Sequence, residues 1–209
     1  MVVRSRFLWI VFFILLQGSG TLLAQTEEAP AGSCLAPDTN RIYRNLTDAL
    51  LVPDQVLKLD LSRHRLDSVP MEIFQLSNLR ELNLSKNKLT FLPREISSLV
   101  KLEKLDLANN KLTTLPNEIS SLKELKYLGL NRNVIDSLPP GIGGLKSLEV
   151  LELWDNELGD VPDEIAELKN LKVLELRGIL FSDEQQARID EIVVPGAKIH
   201  MSPSCHCSY

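Results

Sequence analysis

The sequence predicts an α/β solenoid, in which short parallel strands form one curved sheet and short helices or 3-10 turns cover the opposite, convex side. The main observation is a 23-residue period with the pattern LxxLxLxxNxLxxLPxxIxxLxx. A fixed period of about 20–29 residues is typical of a stacked-repeat architecture. Because no single copy can bury its own leucines, we expect residues 56–182 to form one cooperative domain. The copies begin at Val56, Leu79, Leu102, Leu125, Leu148 and, imperfectly, Leu171.

Each repeat divides into two halves with different periodicity. In the front half, Leu82-Asn83-Leu84 alternates apolar and polar residues, which predicts a short strand with one buried face. In the back half, as in residues 92–99, the apolar spacings become three and four, which predicts a helical or 3-10 turn. A proline recurs where this turn begins, and we expect it at the first position, where a missing N–H costs little. The prolines are Pro70, Pro93, Pro116, Pro139 and Pro162.

An asparagine occupies the same position in four repeats. We expect each amide to hydrogen-bond the backbone of its own loop and of the neighbouring loop, which would otherwise bury unpaired groups. The first copy has His64 in this column and the last has Ile179, as expected of terminal repeats that face a different neighbour. We therefore interpret His64 as a turn residue and not as a catalytic base. The asparagines are Asn87, Asn110, Asn133 and Asn156.

Together these motifs resemble the leucine-rich-repeat family, and within it the LPxxIxxL subclass. That subclass occurs in bacterial exported and surface proteins and in eukaryotic scaffolds related to the Ras-binding leucine-rich-repeat proteins. The resemblance covers residues 56–182 and is specific for the fold. It implies a concave sheet face that binds another macromolecule, usually a protein, and it leaves the particular role open because one fold hosts many functions.

The N-terminus predicts export. Residues 1–24 have the features of a secretory signal peptide: Arg4 and Arg6, an apolar run from Phe7 to Leu16, and a cleavage site after Ala24. Ten apolar residues fall short of the ~20 needed to span a bilayer. We expect a secreted, periplasmic or cell-surface protein with no stable membrane insertion after cleavage. The alternative is an intracellular signalling scaffold of the Ras-pathway type.

A linker and two caps are expected around the repeats. Residues 25–40 are rich in Ala, Pro, Glu, Gly and Ser and predict a flexible linker. Residues 41–55 predict an N-terminal cap with a short helix, capped by Asn45 or Thr47. Its apolar face would consist of Leu46, Ala49 and Leu50.

Residues 183–209 predict a C-terminal cap that ends in a loose tail. The sequence from Ser182 to Gln185 resembles a capping box that opens a helix through about Val193. A final strand is expected at residues 198–201, beside the last repeat. The residues of the helix expected to face inward are Ile189, Ile192 and Val193.

Composition and motifs argue against several chemistries. The formal net charge is −5, and it becomes more negative once the two arginines of residues 1–24 are removed. An acidic chain disfavours nucleic-acid binding. Three histidines and no nucleophile–base arrangement disfavour an enzyme, and we expect no cofactor. The segment Gly141-Ile142-Gly143-Gly144 lacks a following Lys-Ser/Thr, so we interpret it as a repeat variant and not as a phosphate loop.

The cysteines all lie outside the repeats. A bridge from Cys34 to Cys205 or Cys207 is disfavoured, because six strands about 4.8 Å apart separate the two caps by roughly 24 Å. The sequence Cys205-His206-Cys207, with His200 nearby, offers an incomplete zinc ligand set without a visible scaffold. We therefore expect an exposed tail and no metal site. A lipid anchor on Cys34 is likewise disfavoured, because the apolar run ends well before it.

The binding surface is predicted in the last three repeats. Side chains that alternate with the core leucines must project from the concave face. There they combine an apolar, aromatic centre with a charged rim, the composition of a binding hot spot. Gly129 is expected to leave a notch for a partner's side chain beside Tyr127, and the alternative is that the valines merely favour strand formation. The predicted partner is a protein, with a glycan or a secreted hydrolase as the alternative. The candidate residues are Tyr127, Asn131, Arg132, Val150, Glu152, Trp154, Asp155, Val173, Glu175 and Arg177.

Overall fold

The computed structural model describes Asp38 and residues 40–203. Its centre is one eight-stranded parallel sheet whose strands lie in chain order. Each repeat places its strand beside the preceding one in the same register, so that Leu82 pairs with Leu59 on one side and Leu105 on the other. The predicted solenoid is confirmed. The strands are β1 (Ile42–Tyr43), β2 (Lys58–Asp60), β3 (Glu81–Asn83), β4 (Lys104–Asp106), β5 (Tyr127–Gly129), β6 (Val150–Glu152), β7 (Val173–Leu176) and β8 (Lys198–Met201).

The chain returns from each strand through a short 3-10 turn, as expected. The prediction for the prolines was wrong by one residue: Pro93, for example, is the cap that precedes its turn and not the first turn residue. Its backbone is extended, with φ −70° and ψ 149°, and its carbonyl accepts a hydrogen bond from Ile96 N at 3.1 Å. A proline fits this site because the cap donates no N–H to the turn. The turns are Pro53–Gln55, Met71–Gln75, Arg94–Ser98, Asn117–Ser121, Pro140–Gly144 and Asp163–Glu167.

The core lies between the sheet and the turns. In the second repeat, Leu84 from the strand side and Ile96 and Leu99 from the turn side have no exposed surface. Burial of each such side chain contributes about 1.5–3 kcal/mol. The leucine columns therefore join the repeats into one continuous hydrophobic core.

The asparagine column forms the predicted ladder. Asn110 Nδ2 donates to Leu107 O at 2.9 Å in its own repeat and to Leu84 O at 3.0 Å in the preceding one. Its Oδ1 accepts from Leu89 N at 3.1 Å. In the first repeat, His64 has Nδ1 at 2.8 Å from Ser62 O, which confirms a turn role. Its Nε2 lies 3.2 Å from the carbonyl oxygen of Arg44, in the segment that precedes the repeats.

Each of the strands β2 to β7 is followed by a residue in the left-handed backbone conformation. A positive φ recurs every 23 residues, between 54° and 78°. Asp60, Asn83 and Asp106 precede these turns, and their side-chain oxygens accept the backbone N–H two residues later at 2.9–3.0 Å. These bonds stabilise a conformation that costs most L-residues about 1–2 kcal/mol. The residues with positive φ in this column are Arg63, Lys86, Asn109, Arg132, Asp155 and Gly178.

At the N-terminal end, helix α1 (Leu46–Leu50) is capped by Asn45, whose side chain accepts a hydrogen bond from Thr47 N at 2.8 Å. Ala49 in this helix is fully buried against the first repeat. Strand β1 was not predicted from the sequence; it pairs with β2 and extends the sheet by one strand.

At the C-terminal end, helix α2 (Asp183–Ile192) carries the predicted capping box. Ser182 N donates to Gln185 Oε1 at 2.9 Å, and Gln185 N donates to Ser182 Oγ at 3.2 Å. Ile189 and Val193 are buried, and β8 pairs with β7 as expected. Among the described residues, none of the helices has the length and apolarity needed to cross a bilayer. The expected signal peptide, and the three cysteines with the calls made on them, lie outside the described residues.

Candidate functional site

One face of the sheet packs against the leucine core. The opposite face does not contact this core, and we name it the open sheet face. It carries the side chains at the third and fifth repeat positions, because side chains alternate along a strand. The strand register places each of these residues beside its equivalent one repeat away. The third-position residues are Ile42, Lys58, Glu81, Lys104, Tyr127, Val150, Val173 and Lys198.

Three residues of the predicted apolar centre are brought together on this face. Tyr127, Val150 and Val173 are direct neighbours on β5, β6 and β7. Trp154 follows β6 by two residues. All four side chains are partly exposed. They are therefore neither core residues nor freely solvated ones, which suits contact with a partner.

Tyr127 is held in place by its neighbours on the open sheet face. Its hydroxyl donates to Glu152 Oε2 at 2.9 Å, and Lys104 Nζ lies 5.1 Å from the centre of its ring. Burial, followed by the hydrogen bond and the negative charge of Glu152, raises the pKa of Tyr127 far above its ordinary value. Tyr127 therefore remains a neutral donor, and it orients the Glu152 carboxylate.

The expected notch at Gly129 is not present. A Cβ at this position would lie 2.9 Å from Tyr127 Oη and 3.1 Å from Tyr127 Cε1. The missing side chain makes room for the tyrosine ring of the same strand, so no space is left for a partner's group. Gly129 is thus what allows the Tyr127 hydroxyl to reach Glu152 on the next strand.

Trp154 is covered on one side by Arg132, whose guanidinium carbon lies 4.7 Å from the indole centre. Arg132 Nε also approaches Asp155 Oδ2 at 3.5 Å. Such a cation–π contact contributes about 0.5–1 kcal/mol at an exposed site. Asn131, by contrast, is only 6% exposed and offers little surface to a partner.

The rim of the candidate site is largely paired within the protein. The Glu175 carboxylate accepts from Arg177 Nε at 3.0 Å and also contacts His200 Nδ1 on β8. The Glu152 carboxylate accepts the hydrogen bond from the Tyr127 hydroxyl. These charges therefore fix the shape of the surface, and fewer of them are available to bind a partner than the sequence suggested.

A second feature was missed by the sequence analysis. The N-terminal ends of several strands border a hollow of about 920 Å³, which we name the amino-edge hollow. The candidate residues were taken from the last three repeats, whereas the second position of four successive repeats supplies Leu57, Arg80, Glu103 and Lys126 to this hollow. The complete lining is Asn40, Asp54, Leu57, Lys58, Asn78, Arg80, Glu81, Lys101, Glu103, Lys104, Lys126 and Tyr127.

Ion pairs run across the strands beside the amino-edge hollow. Glu103 accepts hydrogen bonds from both Lys126 Nζ and Arg80 Nη1, each at 2.6 Å. The hydrogen bond from Lys126, with a further contribution from Arg80, holds the pKa of Glu103 below its ordinary value although partial burial opposes the shift. Lys58 pairs with Glu81 at 2.9 Å. Three of the five cations in the lining are thus already neutralised by carboxylates.

Comparison with known proteins identifies the family. The model of a leucine-rich-repeat region matches residues 55–191, which is more than half of the chain. The chain belongs to the leucine-rich-repeat family. Domains of this family are generally protein-interaction modules and typically have no enzymatic activity. No curated protein matches the chain at a significant level.

Solved structures show the same repeat architecture. A leucine-rich-repeat protein of Leptospira interrogans is 34% identical, with a TM-score of 0.63 over 79% of this chain and 49% of its own. An internalin of Listeria monocytogenes is 19% identical, with a TM-score of 0.62 over 77% and 46%. The ectodomain of the Arabidopsis thaliana receptor kinase GASSHO1/SCHENGEN3, in complex with CASPARIAN STRIP INTEGRITY FACTOR 2, is 23% identical, with a TM-score of 0.57 over 79% and 23%. This chain spans less than half of each of these three proteins.

Proposed function

We propose that this protein is an exported, non-enzymatic recognition module of the LPxxIxxL type that binds a protein partner through its open sheet face. The mechanism is rigid presentation. Side chains fixed on adjacent strands of a continuous sheet lose little conformational entropy when a partner binds. The affinity then depends on how well the partner covers a preformed surface.

The observation that supports this proposal most is the cluster of Tyr127, Val150, Trp154 and Val173. Tyr127, Val150 and Val173 are direct neighbours on adjacent strands, Trp154 follows β6 by two residues, and all four side chains remain partly exposed and are bordered by paired charges. Aromatic residues in an apolar centre with a polar rim are enriched among the residues that dominate binding energies. A patch of this kind on a repeat protein is best explained by a partner that covers it.

The ring contacts favour a protein partner over a glycan. A sugar would stack on the faces of Trp154 and Tyr127, yet Arg132 covers one face of the indole and Lys104 lies over the tyrosine ring. Stacking would require these cations to move away. Selective binding to a glycan array, with no protein captured, would support the glycan alternative.

Export is tested separately from binding. The full-length chain is expressed in a bacterial host, fractionated, and its intact mass and N-terminal sequence are determined. We expect a mature form that begins at Gln25, in the periplasm or the medium. An uncleaved cytoplasmic product would instead support the intracellular scaffold.

The experiment that tests the binding surface is site-specific photo-crosslinking. A photoreactive phenylalanine analogue is placed at Val150 on the open sheet face or, as a control, at Glu118 in the turn Asn117–Ser121 on the opposite side. We expect a defined protein adduct from position 150 and none from position 118. Equal labelling at both positions, or labelling only at 118, would contradict the proposal.

A further inference from the structure

We propose that the amino-edge hollow binds an acidic, extended peptide segment of the partner, with Lys101 and Lys104 contacting its carboxylates. This inference rests on the proposed function, because it names the chemistry of the protein that the module recognises. It places part of the contact in the first repeats, where the hollow meets the apolar cluster at Tyr127.

The dimensions of the amino-edge hollow suit a short peptide segment. Its volume of about 920 Å³ lies in the range of about 300–1,000 Å³ that is typical of ligand sites. The half-buried Tyr127 contributes an aromatic wall, and the largely buried Leu57 lies at the floor of the lining. A few consecutive residues in an extended conformation could therefore place apolar groups inward and charged groups toward the cations.

The charge of the lining is opposite to that of the protein. Five cationic side chains and three carboxylates border the amino-edge hollow, whereas the whole chain has a formal net charge of −5. A local cationic site on an acidic protein attracts an acidic segment and orients its approach. The cations are Lys58, Arg80, Lys101, Lys104 and Lys126.

Two of these cations have no carboxylate partner within residues 40–203. Lys101 Nζ donates to the neutral side chain of Asn78 at 2.7 Å, and Lys104 Nζ lies over the ring of Tyr127. Both lysines are exposed. The remaining three cations pair with Glu81 or Glu103. Lys101 and Lys104 are therefore the positions where a carboxylate of the partner gains the largest electrostatic attraction.

The arrangement favours a peptide over a uniform polyanion. Asp54, Glu81 and Glu103 lie among the cations of the lining. A nucleic acid or a sulfated glycan carries negative charge at every unit and would meet these carboxylates at close range. A peptide with acidic side chains at intervals can match the cations and avoid the carboxylates.

The test is an NMR titration of the protein with a capped octapeptide of alternating glutamate and alanine. Its comparators are the same peptide with lysine in place of glutamate, and a heparin octasaccharide. The variant K101E/K104E reverses the two lysines. The matched control K88E/K111E makes the same charge change at two exposed lysines outside the lining. Circular dichroism confirms that both variants are folded.

We expect the glutamate peptide to shift backbone amides that border the amino-edge hollow. Because K101E/K104E turns two attractive charge pairs into repulsive ones, it should weaken this binding by about tenfold or more. K88E/K111E should stay within about twofold of the wild type, and the lysine peptide should not bind. Equal affinities of the two variants, or tighter binding of heparin at the same amides, would overturn the inference.

The two proposals fail in different ways. A protein adduct at Val150 together with no peptide shifts at the amino-edge hollow overturns this inference and leaves the proposed function intact. Peptide binding that depends on Lys101 and Lys104, with no adduct at Val150, supports the inference and contradicts the proposed surface.

Discussion

Replacing Asn110 with alanine tests whether the asparagine ladder stabilises the solenoid. The substitution removes two hydrogen bonds to the carbonyls of Leu84 and Leu107 and one from the N–H of Leu89. Asn110 is 9% exposed, so water reaches these three backbone groups poorly. The carbonyls of Leu84 and Leu107 keep Asn87 and Asn133 as donors, so only the Leu89 N–H is left unpaired, and together with the two lost hydrogen bonds we expect a loss of about 2–4 kcal/mol. For a domain of this size that corresponds to about 10 °C in Tm.

The assay is urea unfolding followed by circular dichroism, supported by thermal melting. The matched control is Asn117→Ala, because Asn117 is exposed and its side chain accepts only one hydrogen bond, from Gly141 N at 3.2 Å. We expect the control to lose about 0.5–1 kcal/mol. If Asn110→Ala destabilises the protein no more than Asn117→Ala, the ladder does not have the role assigned to it.

Three further predictions concern close contacts. Gly129→Ala places a Cβ against the Tyr127 ring and should cost about 1–3 kcal/mol in urea unfolding; an unchanged midpoint would show that the ring moves freely. Gly178→Ala, at φ 78° and with a Cβ only 2.3 Å from Asp155 Oδ1, should also lose about 1–3 kcal/mol, and wild-type stability would refute the strain. The pKa of Tyr127 is higher in the folded protein than its ordinary value of 10. The stabilising effect of the neutral Tyr127 side chain is therefore complete below pH 10 and is lost as the pH rises further. The stability difference between wild type and Tyr127→Phe should therefore shrink from pH 9 to pH 11, and a constant difference would contradict the assigned burial.

The period and its polar columns predicted much of the fold. The asparagine ladder and the capping box at Ser182 follow from local spacing, because each involves backbone groups at fixed distances along the chain. The strand β1 was missed since Ile42–Tyr43 is too short to show an alternating pattern. The position of the prolines was wrong by one residue because the start of a 3-10 turn is set by hydrogen bonds that proline content does not specify.

The candidate surface was less predictable than the fold. Register alone placed Tyr127, Val150 and Val173 together, because identical positions stack in a repeat protein. Register could not show that the tyrosine ring fills the space at Gly129, since this depends on a side-chain rotamer. The amino-edge hollow was missed because it combines several repeat positions, including Lys101 from the segment before β4.

The most direct test of the central claim is the affinity of the partner crosslinked at Val150, measured by surface plasmon resonance for wild type and two variants. Trp154→Ala removes the aromatic side chain that follows β6 at the border of the open sheet face, and Phe91→Ala removes one that is 57% exposed and is not part of the candidate site. The account predicts at least tenfold weaker binding for Trp154→Ala, about 1.4 kcal/mol, and no more than about twofold for Phe91→Ala. Equal effects of the two substitutions, or a larger effect of Phe91→Ala, would contradict recognition through the open sheet face.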